Sequence, residues 1–444
     1  DSHGEFGLAS RWLDSRNQVA SWLENDPYRE EIIRSMIGQS NCGGISGIHD
    51  YLNYLSNDLV HKIDNAVDNP ELSGEGLAER LAEGSILPMY GMPSRTRLLY
   101  HHLERDDLKT IDRDLDLAIT EFAPGAQKTK DKRIHTAVGF TAPILRRRNR
   151  WIPRQQNPLP SRYWIERCRN CGHAQTFAED LQRTGCDDCG TPQGDSFNYY
   201  QIAIPLAFRT DLSAGKDAKE EDDVFFGIPS SIAESSDSPG NDAELWNTKL
   251  SFLRECRVWR VNDNSGHLFH GSITRTEGYL NKNGQMIGRP FLAGQWISSD
   301  YLDRVGGSSR DGGEEIAIAA GKTTDVLRFR PRSIPCGLNL DPVHPYSTNV
   351  IPNVCVKAAI YSASFLLRAA VAGELDIDPE EIEICNYRRL ETADGGYIGE
   401  IALSDRLPNG AGFVSWISDN WENILESMLS RTPGPFAKQV ISEE

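Results

Sequence analysis

The chain has 444 residues, of which 39% are hydrophobic, 25% charged and 9% aromatic, a composition typical of a soluble globular protein with two or three domains. It offers no run of about 20 nearly uninterrupted apolar residues, so we expect no membrane span, and its nine cysteines do not form the even framework of a secreted protein, so we expect a cytoplasmic location. The net charge of −17 argues against a nucleic-acid partner unless the basic residues are concentrated in one place.

The first 110 residues or so are predicted to be helical. Apolar residues recur at spacings of three and four over residues 15–23, 30–37, 48–66 and 76–83. Turn-forming residues at 41–44 and 68–70 separate these stretches, and His101-His102 is expected as an exposed pair on a helix. We assign residues 1–110 to a helical accessory or linker domain. Because the chain starts at Asp1 rather than at Met, we expect it to be part of something longer.

From residue 111 the pattern changes to short strands. Strands are predicted over residues 134–140, 163–167 and 199–205. We assign residues 111–212 to a β-rich segment with a zinc ribbon at about residues 160–200. Ser, Asp, Glu, Gly and Pro dominate residues 213–243, which we predict to be an acidic loop.

Two cysteine motifs inside the β-rich segment give the strongest chemical signal. Cys168-Arg-Asn-Cys171-Gly and Cys186-Asp-Asp-Cys189-Gly are two CxxCG knuckles separated by fourteen residues. The two-residue spacing lets both thiolates of a knuckle face one ion, so the four cysteines predict a tetrahedral Zn²⁺ site. A closed shell of four thiolates leaves no open position, which makes the ion structural. A redox dithiol, free thiols, or His173 in place of one ligand are the alternatives.

A basic segment leads into the knuckles. From Lys128 to Arg169, twelve Lys and Arg stand against two acidic residues, which leaves −27 on the rest of the chain. Lys and Arg neutralise phosphates, and a neighbouring Trp can stack on unpaired bases. The residues predicted to contact nucleic acid are Lys128, Lys130, Lys132, Arg133, Arg146, Arg147, Arg148, Arg150 and Trp151. A solvated loop, or a patch that docks on the acidic remainder or on a partner protein, is the alternative.

Residues 244–444 are predicted to form a mixed α/β domain. Strands are expected over residues 255–261, 269–274, 290–297, 315–319 and 325–330, then a long helix over 349–374, strands over 381–385 and 397–403, and a last helix over 412–429. The fold class is therefore α+β: a helical N-terminal part, a β-rich middle with a four-cysteine zinc ribbon, and an α/β C-terminal domain.

No motif predicts catalysis. Ala320-Gly-Lys-Thr-Thr324 resembles the end of a phosphate-binding loop, but Ile316 occupies the place of its first Gly, so we predict a turn between two strands and no ATPase activity. The acidic run 112–116 lacks the Gly of a calcium loop and is expected either to start a helix or to form a charged face. Asp405 is expected to cap the turn formed by the following glycines, with contact to a ligand or phosphate as the alternative.

Three parts of the sequence together resemble a helicase-associated family. Residues 86–95 (ILPMYGMPSR) are similar to its ILPxYGFPxR motif, and Arg113 with residues 118–125 (AITEFAPG) is similar to its R…ALSEYAPG segment. Residues 324–327, 358–372 and 405–412 resemble its last domain. This family is the MrfA-like zinc-binding (MZB) region of superfamily 2 DEAD/DEAH helicases, which also occurs as a separate subunit in the phage-defence system DISARM (DrmB) and within the Druantia helicase.

The resemblance, over about residues 86–429, implies strand loading or duplex separation carried out jointly with a helicase motor. DNA, either single-stranded or at a duplex junction, and the motor are the implied partners, and ATP would act only through a motor absent from this chain. The implied setting is antiviral defence or DNA repair. The chain departs from the MrfA type because Cys336, Cys355 and Cys385 have no CxxC partner. A protein–protein scaffold without DNA contact and an autonomous enzyme are the alternative functions.

Overall fold

The computed structural model describes most of the chain. The described residues are 7–37, 44–69, 72, 76–84, 86–87, 95–103, 108–147, 150–194, 196–212, 215–217, 227, 229–234, 241–245, 247–274, 279–280, 286–287, 294–304, 313–334, 337–344, 352–392 and 395–430. Parts of several predicted features lie outside these ranges, namely residues 41–43, 88–94, 290–293, 349–351 and Arg148.

The N-terminal part is helical, as predicted. Its helices are α1 (Trp12–Asn25), α2 (Arg29–Ile37), α3 (Gly44–Asn53), α4 (Leu59–Asp68) and α5 (Leu77–Glu83). A π-helical turn, Tyr54–Asp58, joins α3 to α4 without a break. Trp12, Leu23, Val60, Ile63 and Leu81 form a small separate core, in which the Trp12 indole N–H donates to Asp64.

The prediction of helices up to residue 110 is wrong at its end. Two antiparallel strands, β1 (Thr96–Leu103) and β2 (Leu108–Asp114), occupy this region. Leu99, Tyr100 and His101 are 1%, 4% and 3% exposed, so consecutive residues of β1 are buried. A strand that is buried on both faces lacks the alternation of apolar and polar residues that distinguishes a strand from a helix in sequence. His101 is therefore a buried strand residue rather than an exposed helical one.

Among the described residues, the middle of the chain supplies one helix, six strands of the main sheet and a separate two-stranded hairpin. Asp114 caps α6 (Leu115–Glu121) by accepting from the Asp116 amide, which confirms a helix start at the acidic run. The strands that follow are β3 (Gln127–Lys130), β4 (Arg133–Thr141), β5 (Ile144–Arg147), β6 (Arg150–Pro153), β7 (Ser161–Cys168), β8 (Ala174–Phe177), β9 (Phe197–Ile204) and β10 (Ala207–Thr210). The three strands predicted here are confirmed as β4, β7 and β9.

Residues 213–243 are not simply a loop. Strand pairing extends into this region through β11 (Lys216–Asp217), β12 (Ser230–Ala233) and the start of β13 (Asn241–Leu245). The elements that follow are β14 (Thr248–Asn262), β15 (Phe269–Ile273), β16 (Tyr279–Leu280), β17 (Met286–Ile287), β18 (Trp296–Ser298), α7 (Ser299–Arg304) and β19 (Glu314–Pro331). The turn predicted at residues 320–324 is also wrong, because β19 runs straight through it.

The C-terminal part has the predicted order of elements. It comprises α8 (Val354–Leu375), β20 (Ile382–Glu391), β21 (Tyr397–Asp405), α9 (Phe413–Asp419) and α10 (Trp421–Ser430). Asn353 caps α8 by accepting from the Val356 amide, and Asp376 ends it in a left-handed conformation. By length and composition alone α8 could cross a membrane. In the structure its Leu367 and Val371 pack into the C-terminal core.

The two longest strands, β14 and β19, form the antiparallel centre of the sheet. On one side β21 and then β20 extend β19, and β12 and β13 pair with β14. On the other side β19 pairs with β15 and, in parallel, with β9, which continues to β7 and β8. From β15 the pairing runs through β18, β4 and β10 to β1 and β2. The C-terminal strands and the knuckle-bearing strand β7 therefore belong to one sheet.

Candidate metal centre and basic hairpins

The two cysteine knuckles have the same backbone geometry. In the first, the Gly172 amide donates to the Cys168 carbonyl at 2.9 Å, and the Cys168 amide donates to the His173 carbonyl at 2.8 Å. In the second, Gly190 donates to Cys186 at 2.9 Å and Cys186 donates to Thr191 at 2.8 Å. These turns direct the two thiols of each knuckle to the same side.

The four sulfurs form a cluster of the size that one ion requires. The Cys168 and Cys189 sulfurs lie 3.6 Å apart, those of Cys171 and Cys186 lie 3.5 Å apart, and all four lie within 4.8 Å of one another. A tetrahedron with Zn–S bonds of about 2.3 Å has edges of about 3.8 Å. The predicted ligand set is thus brought together in a geometry compatible with a structural zinc site.

The ionisation of the thiols also favours a cation at the centre. Hydrogen bonds from Cys171 and Cys186 lower the pKa of Cys168 to about 6, and those from the other thiols lower the pKa of Cys189. The same contacts raise the pKa of Cys171 and Cys186. Four adjacent thiolates repel one another, so all four can ionise together only around a positive ion.

His173 connects two parts of the ribbon through hydrogen bonds and is not positioned as a zinc ligand. Its Nε2 lies 2.7 Å from Glu166, and its Nδ1 lies 3.0 Å from Asp188 in the second knuckle. Burial lowers the pKa of His173, but the hydrogen bonds to Asp188 and Glu166 outweigh burial and raise the pKa to about 10. The histidine therefore ties β7 to the second knuckle, and the alternative of His173 as a zinc ligand loses its support.

The first knuckle is fastened to β20. The Arg389 amide donates to the Cys171 carbonyl at 2.7 Å, and the Tyr387 hydroxyl lies 2.8 Å from the Arg169 carbonyl. Asn386 donates to the Gly172 carbonyl at 3.0 Å. A Cβ on Gly172 would lie 1.8 Å from the Tyr387 carbonyl oxygen, so only glycine fits. The amino-acid sequence alone does not predict this contact, because no local signal pairs a knuckle with a strand some 200 residues later.

The first predicted basic group lies at the β3–β4 hairpin. Asp131 and Lys132 both have positive φ, which is the geometry of a tight two-residue hairpin turn. Lys130, Lys132 and Arg133 are exposed around it. Lys128 is different: it is 9% exposed, and its ammonium lies 2.9 Å from the Glu121 carboxylate. Its charge is compensated inside the fold, so Lys128 does not belong to the exposed basic surface of this hairpin.

The second basic group lies at the β5–β6 hairpin. Arg146 is exposed and pairs across the hairpin with Trp151, and its guanidinium lies 5.8 Å from the Trp151 ring centroid. Trp151 is half-buried against Tyr100 and its neighbours. The backbones of Arg147 and Arg150 pair at the end of the hairpin. The structure does not describe Arg148 or the side chains of Arg147 and Arg150.

Lys322, the lysine of the residue 320–324 motif, has a structural role within the fold. The Lys322 ammonium donates to Glu383 at 2.6 Å and to the carbonyls of Asp405 and Arg406 at 2.9 and 2.8 Å. These three acceptors match the three donors of an ammonium group. The motif therefore joins β19 to the end of β21 and does not form a phosphate-binding loop.

Asp405 is a capping residue, as expected. Its carboxylate is fully buried and accepts from the amides of Ala411, Gly412 and Val414 at 2.7–3.0 Å. Burial raises the pKa of Asp405, and the three backbone hydrogen bonds oppose this shift. The carboxylate stabilises the start of α9.

No family model and no curated protein matches the chain. The crystal structure of the DUF1998 helicase MrfA bound to DNA is similar with a TM-score of 0.34 and 10% sequence identity, over 84% of this chain and 38% of that chain. The chain thus spans well under half of the length of that protein.

Proposed function

We propose that this chain is the non-motor, DNA-engaging region of a superfamily 2 helicase, or a partner subunit to one, held together by a structural Zn²⁺. The observation that carries the proposal is the pair of basic hairpins on an otherwise acidic molecule. One lies at the start of the nine-residue β4, which is about 27 Å long at about 3.4 Å per residue, and the other follows the end of β4. A single strand that contacts both would span several nucleotides.

Each hairpin supports a different part of strand binding. Lys130, Lys132 and Arg133 would neutralise phosphates, since their side chains are exposed at a hairpin tip. Arg146 would do the same at the second hairpin, where the half-buried Trp151 offers a ring held in place for stacking on a base. Zn²⁺ would fix the ribbon to β20 and take no part in a chemical step. ATP would be used only by the motor.

The sequence resemblance and the free thiols support the setting that we propose for this function. We place the protein in antiviral defence or DNA repair, in a reducing cytoplasm, where four free thiols remain available to Zn²⁺. The partners are DNA, single-stranded or at a duplex junction, and the helicase motor.

A protein–protein scaffold without DNA contact is the second candidate. It is favoured by the exposed apolar side of α8, where Val354, Phe365 and Leu366 are 69%, 51% and 63% exposed. Apolar surface of this kind is typical of sites that another protein covers.

Hairpin variants separate the two candidates. Replacing Lys130, Lys132 and Arg133 by Ala, or Arg146, Arg147 and Arg150 by Ala, should weaken binding of a single-stranded oligonucleotide by about tenfold or more, measured by fluorescence anisotropy at low salt. Trp151→Ala should cost about 1–3 kcal/mol if a base stacks there. The control is an Arg11→Ala/Arg34→Ala variant, which removes two exposed cations from the N-terminal helices. Folded, zinc-loaded hairpin variants that bind as well as this control would favour the scaffold.

A further inference from the structure

One side of α8 presents a regular line of uncharged residues to solvent. Six residues recur along it at alternating spacings of four and three, and all are exposed, namely Cys355, Ala359, Ser362, Leu366, Ala369 and Gly373. Residues with this spacing lie along one face of a helix, because seven residues make close to two turns. We call this line of residues the α8 seam.

The spacing and the size of the seam residues favour another α-helix as the partner. Alternating spacings of three and four are typical of helices that pack lengthwise against each other. Leu366 is the single large residue of the seam, so a second helix could approach closely and fill the space with its own large side chains. A lipid surface matches less well, because helices that lie on a bilayer present Trp, Phe and Leu to it.

The opposite side of α8 is already held by the fold. Leu367 packs in the C-terminal core. The Lys357 ammonium donates to the Arg169 carbonyl of the first knuckle at 2.5 Å, and the Tyr361 ring lies 6.0 Å from the ring of Tyr387 on β20. The seam is therefore fixed in place before any partner binds, which lowers the entropic cost of binding.

An apolar groove adjoins the seam, between α8 and α10. Its volume is about 650 Å³. Ala359 and Leu366 belong both to the seam and to the wall of the groove, and Trp421, Leu425 and Met428 of α10 form the wall that faces them. A helix on the seam could therefore place large apolar side chains in the groove, as in other complexes that bind a helix in a groove.

Trp421 adds a buried donor to this wall. The residue is only 3% exposed, and its indole N–H has no hydrogen-bond acceptor among the residues that the structure describes. A buried indole N–H usually has an acceptor, because an unsatisfied buried donor destabilises the fold. An oxygen atom on an occupant of the groove would supply this acceptor.

Arg330 adds a cation. It is the single charged side chain among the described residues that line the groove, and this side chain is 21% exposed. Its guanidinium lies 4.0 Å from the Glu400 carboxylate, which makes a shorter contact of 2.9 Å with Arg388. A carboxylate on an occupant of the groove would therefore find a complementary charge.

We propose that the α8 seam and the adjoining groove bind an amphipathic α-helix of a partner protein. The partner helix presents large apolar residues to the seam and a carboxylate to Arg330. This proposal does not depend on DNA binding and holds for both functions considered above.

Fluorescence anisotropy with a labelled helical peptide tests this proposal. The probe has three heptads, with Leu at the two positions of each heptad that meet the seam and Glu at the positions beside them. One comparison peptide has Gln in place of Glu, and another has Ser in place of Leu. The whole zinc-loaded chain should bind the Leu–Glu peptide saturably and should not bind the Ser peptide.

Two neighbouring residues of α8 provide the variant and its matched control. Leu366→Ala should weaken binding of the Leu–Glu peptide by about tenfold, because it removes the large side chain shared by the seam and the groove. Phe365→Ala should change the affinity less than about twofold. Phe365 is similarly exposed, at 51% against 63% for Leu366, but it points about 100° away around the helix.

Arg330→Gln tests the carboxylate. It should weaken binding of the Leu–Glu peptide by about threefold, the scale of a partly exposed ion pair, and leave the affinity for the Gln peptide unchanged. Replacement of Lys130, Lys132 and Arg133 by Ala should not affect either peptide, so a failure of DNA binding is distinguishable from a failure of the seam.

Several outcomes would overturn the proposal. They are the absence of saturable binding, equal binding of the Ser peptide, and an equal loss in the Phe365→Ala and Leu366→Ala proteins. If Leu366→Ala does not fold, Ala359→Gln carries the test, and unchanged binding by that variant overturns the proposal. Light scattering after size exclusion examines a second copy of the chain as the occupant. A dimer that Leu366→Glu dissociates would assign the seam to self-association and overturn the proposal of a partner helix.

Discussion

Gly172 and Gly190 occupy the same position in the two cysteine knuckles but differ in their surroundings. Both have positive φ, at 79° and 72°. A Cβ on Gly172 would collide with the Tyr387 carbonyl, whereas a Cβ on Gly190 would meet nothing within 4 Å. A comparison of the two glycines therefore distinguishes the effect of the positive φ in the knuckle from the effect of close packing against β20.

Alanine substitutions at these two positions should differ in cost. Gly190→Ala should destabilise the protein by about 1–2 kcal/mol, the cost of a left-handed backbone for an L-residue. Gly172→Ala should cost clearly more, because the knuckle must also move away from β20. The unfolding midpoint in urea, measured with zinc bound, gives both values. Equal losses for the two variants would mean that the contact with Tyr387 contributes nothing.

At this scale the sequence predicted the ligands but not their surroundings. The four cysteines follow from spacing alone, because both thiols of a knuckle lie within one turn. The roles of His173 and Tyr387 depend on strands that pair over long sequence distances. The division of the basic residues into exposed and ion-paired ones also depends on tertiary structure. Lys128 pairs with Glu121 at the end of α6, and no local pattern predicts this ion pair.

At the scale of elements, the ribbon is a connector between the middle of the chain and its C-terminal part. β7 leads into the first knuckle. β20 contacts this knuckle through a backbone hydrogen bond to Cys171 and a side-chain hydrogen bond to Gly172. Metal binding contributes folding free energy to a segment that has little core of its own. The stability of the ribbon should therefore depend on the ion, and that of β20 should depend on it in part.

Removing the metal should unfold the ribbon locally. After chelation, hydrogen exchange should accelerate at the amides of Cys168, Gly172, Cys186 and Gly190, and also at Arg389, which donates to the ribbon. Amides between β14 and β19 serve as the internal control and should keep their protection, because that pairing lies outside the ribbon. Unchanged hydrogen exchange at these amides in a chelated, metal-free protein would contradict a structural role of zinc in the ribbon.

The order of elements was largely predictable, and its two main errors have physical causes. β1 is buried at the consecutive positions 99–101, which hides the period of this strand, whereas β2 is mostly exposed. Gly321 looks like a turn residue but lies inside β19, where a Cβ would come within 2.7 Å of the Trp259 ring. The glycine is needed for close packing rather than for a turn, and only the partner strand reveals this.

At the scale of the whole molecule, the charge distribution is the property most closely tied to the proposed function. A chain of net charge −17 keeps exposed cations on two hairpins. An acidic body opposes non-specific attachment to nucleic acid, so binding should depend on these few sites. The sequence showed the concentration of charge, but it could not show which cations reach the surface.

The salt dependence of binding to a single-stranded oligonucleotide tests the central claim most directly. Each phosphate contact contributes about 0.7 to the slope of log affinity against log salt concentration for a single strand. With at least three contacts from the hairpins, the zinc-loaded chain should show a slope of about −2 or steeper, and replacement of Lys130, Lys132 and Arg133 by Ala should flatten it. A chain that binds no strand at low salt, or whose slope is the same with and without these cations, would contradict the account.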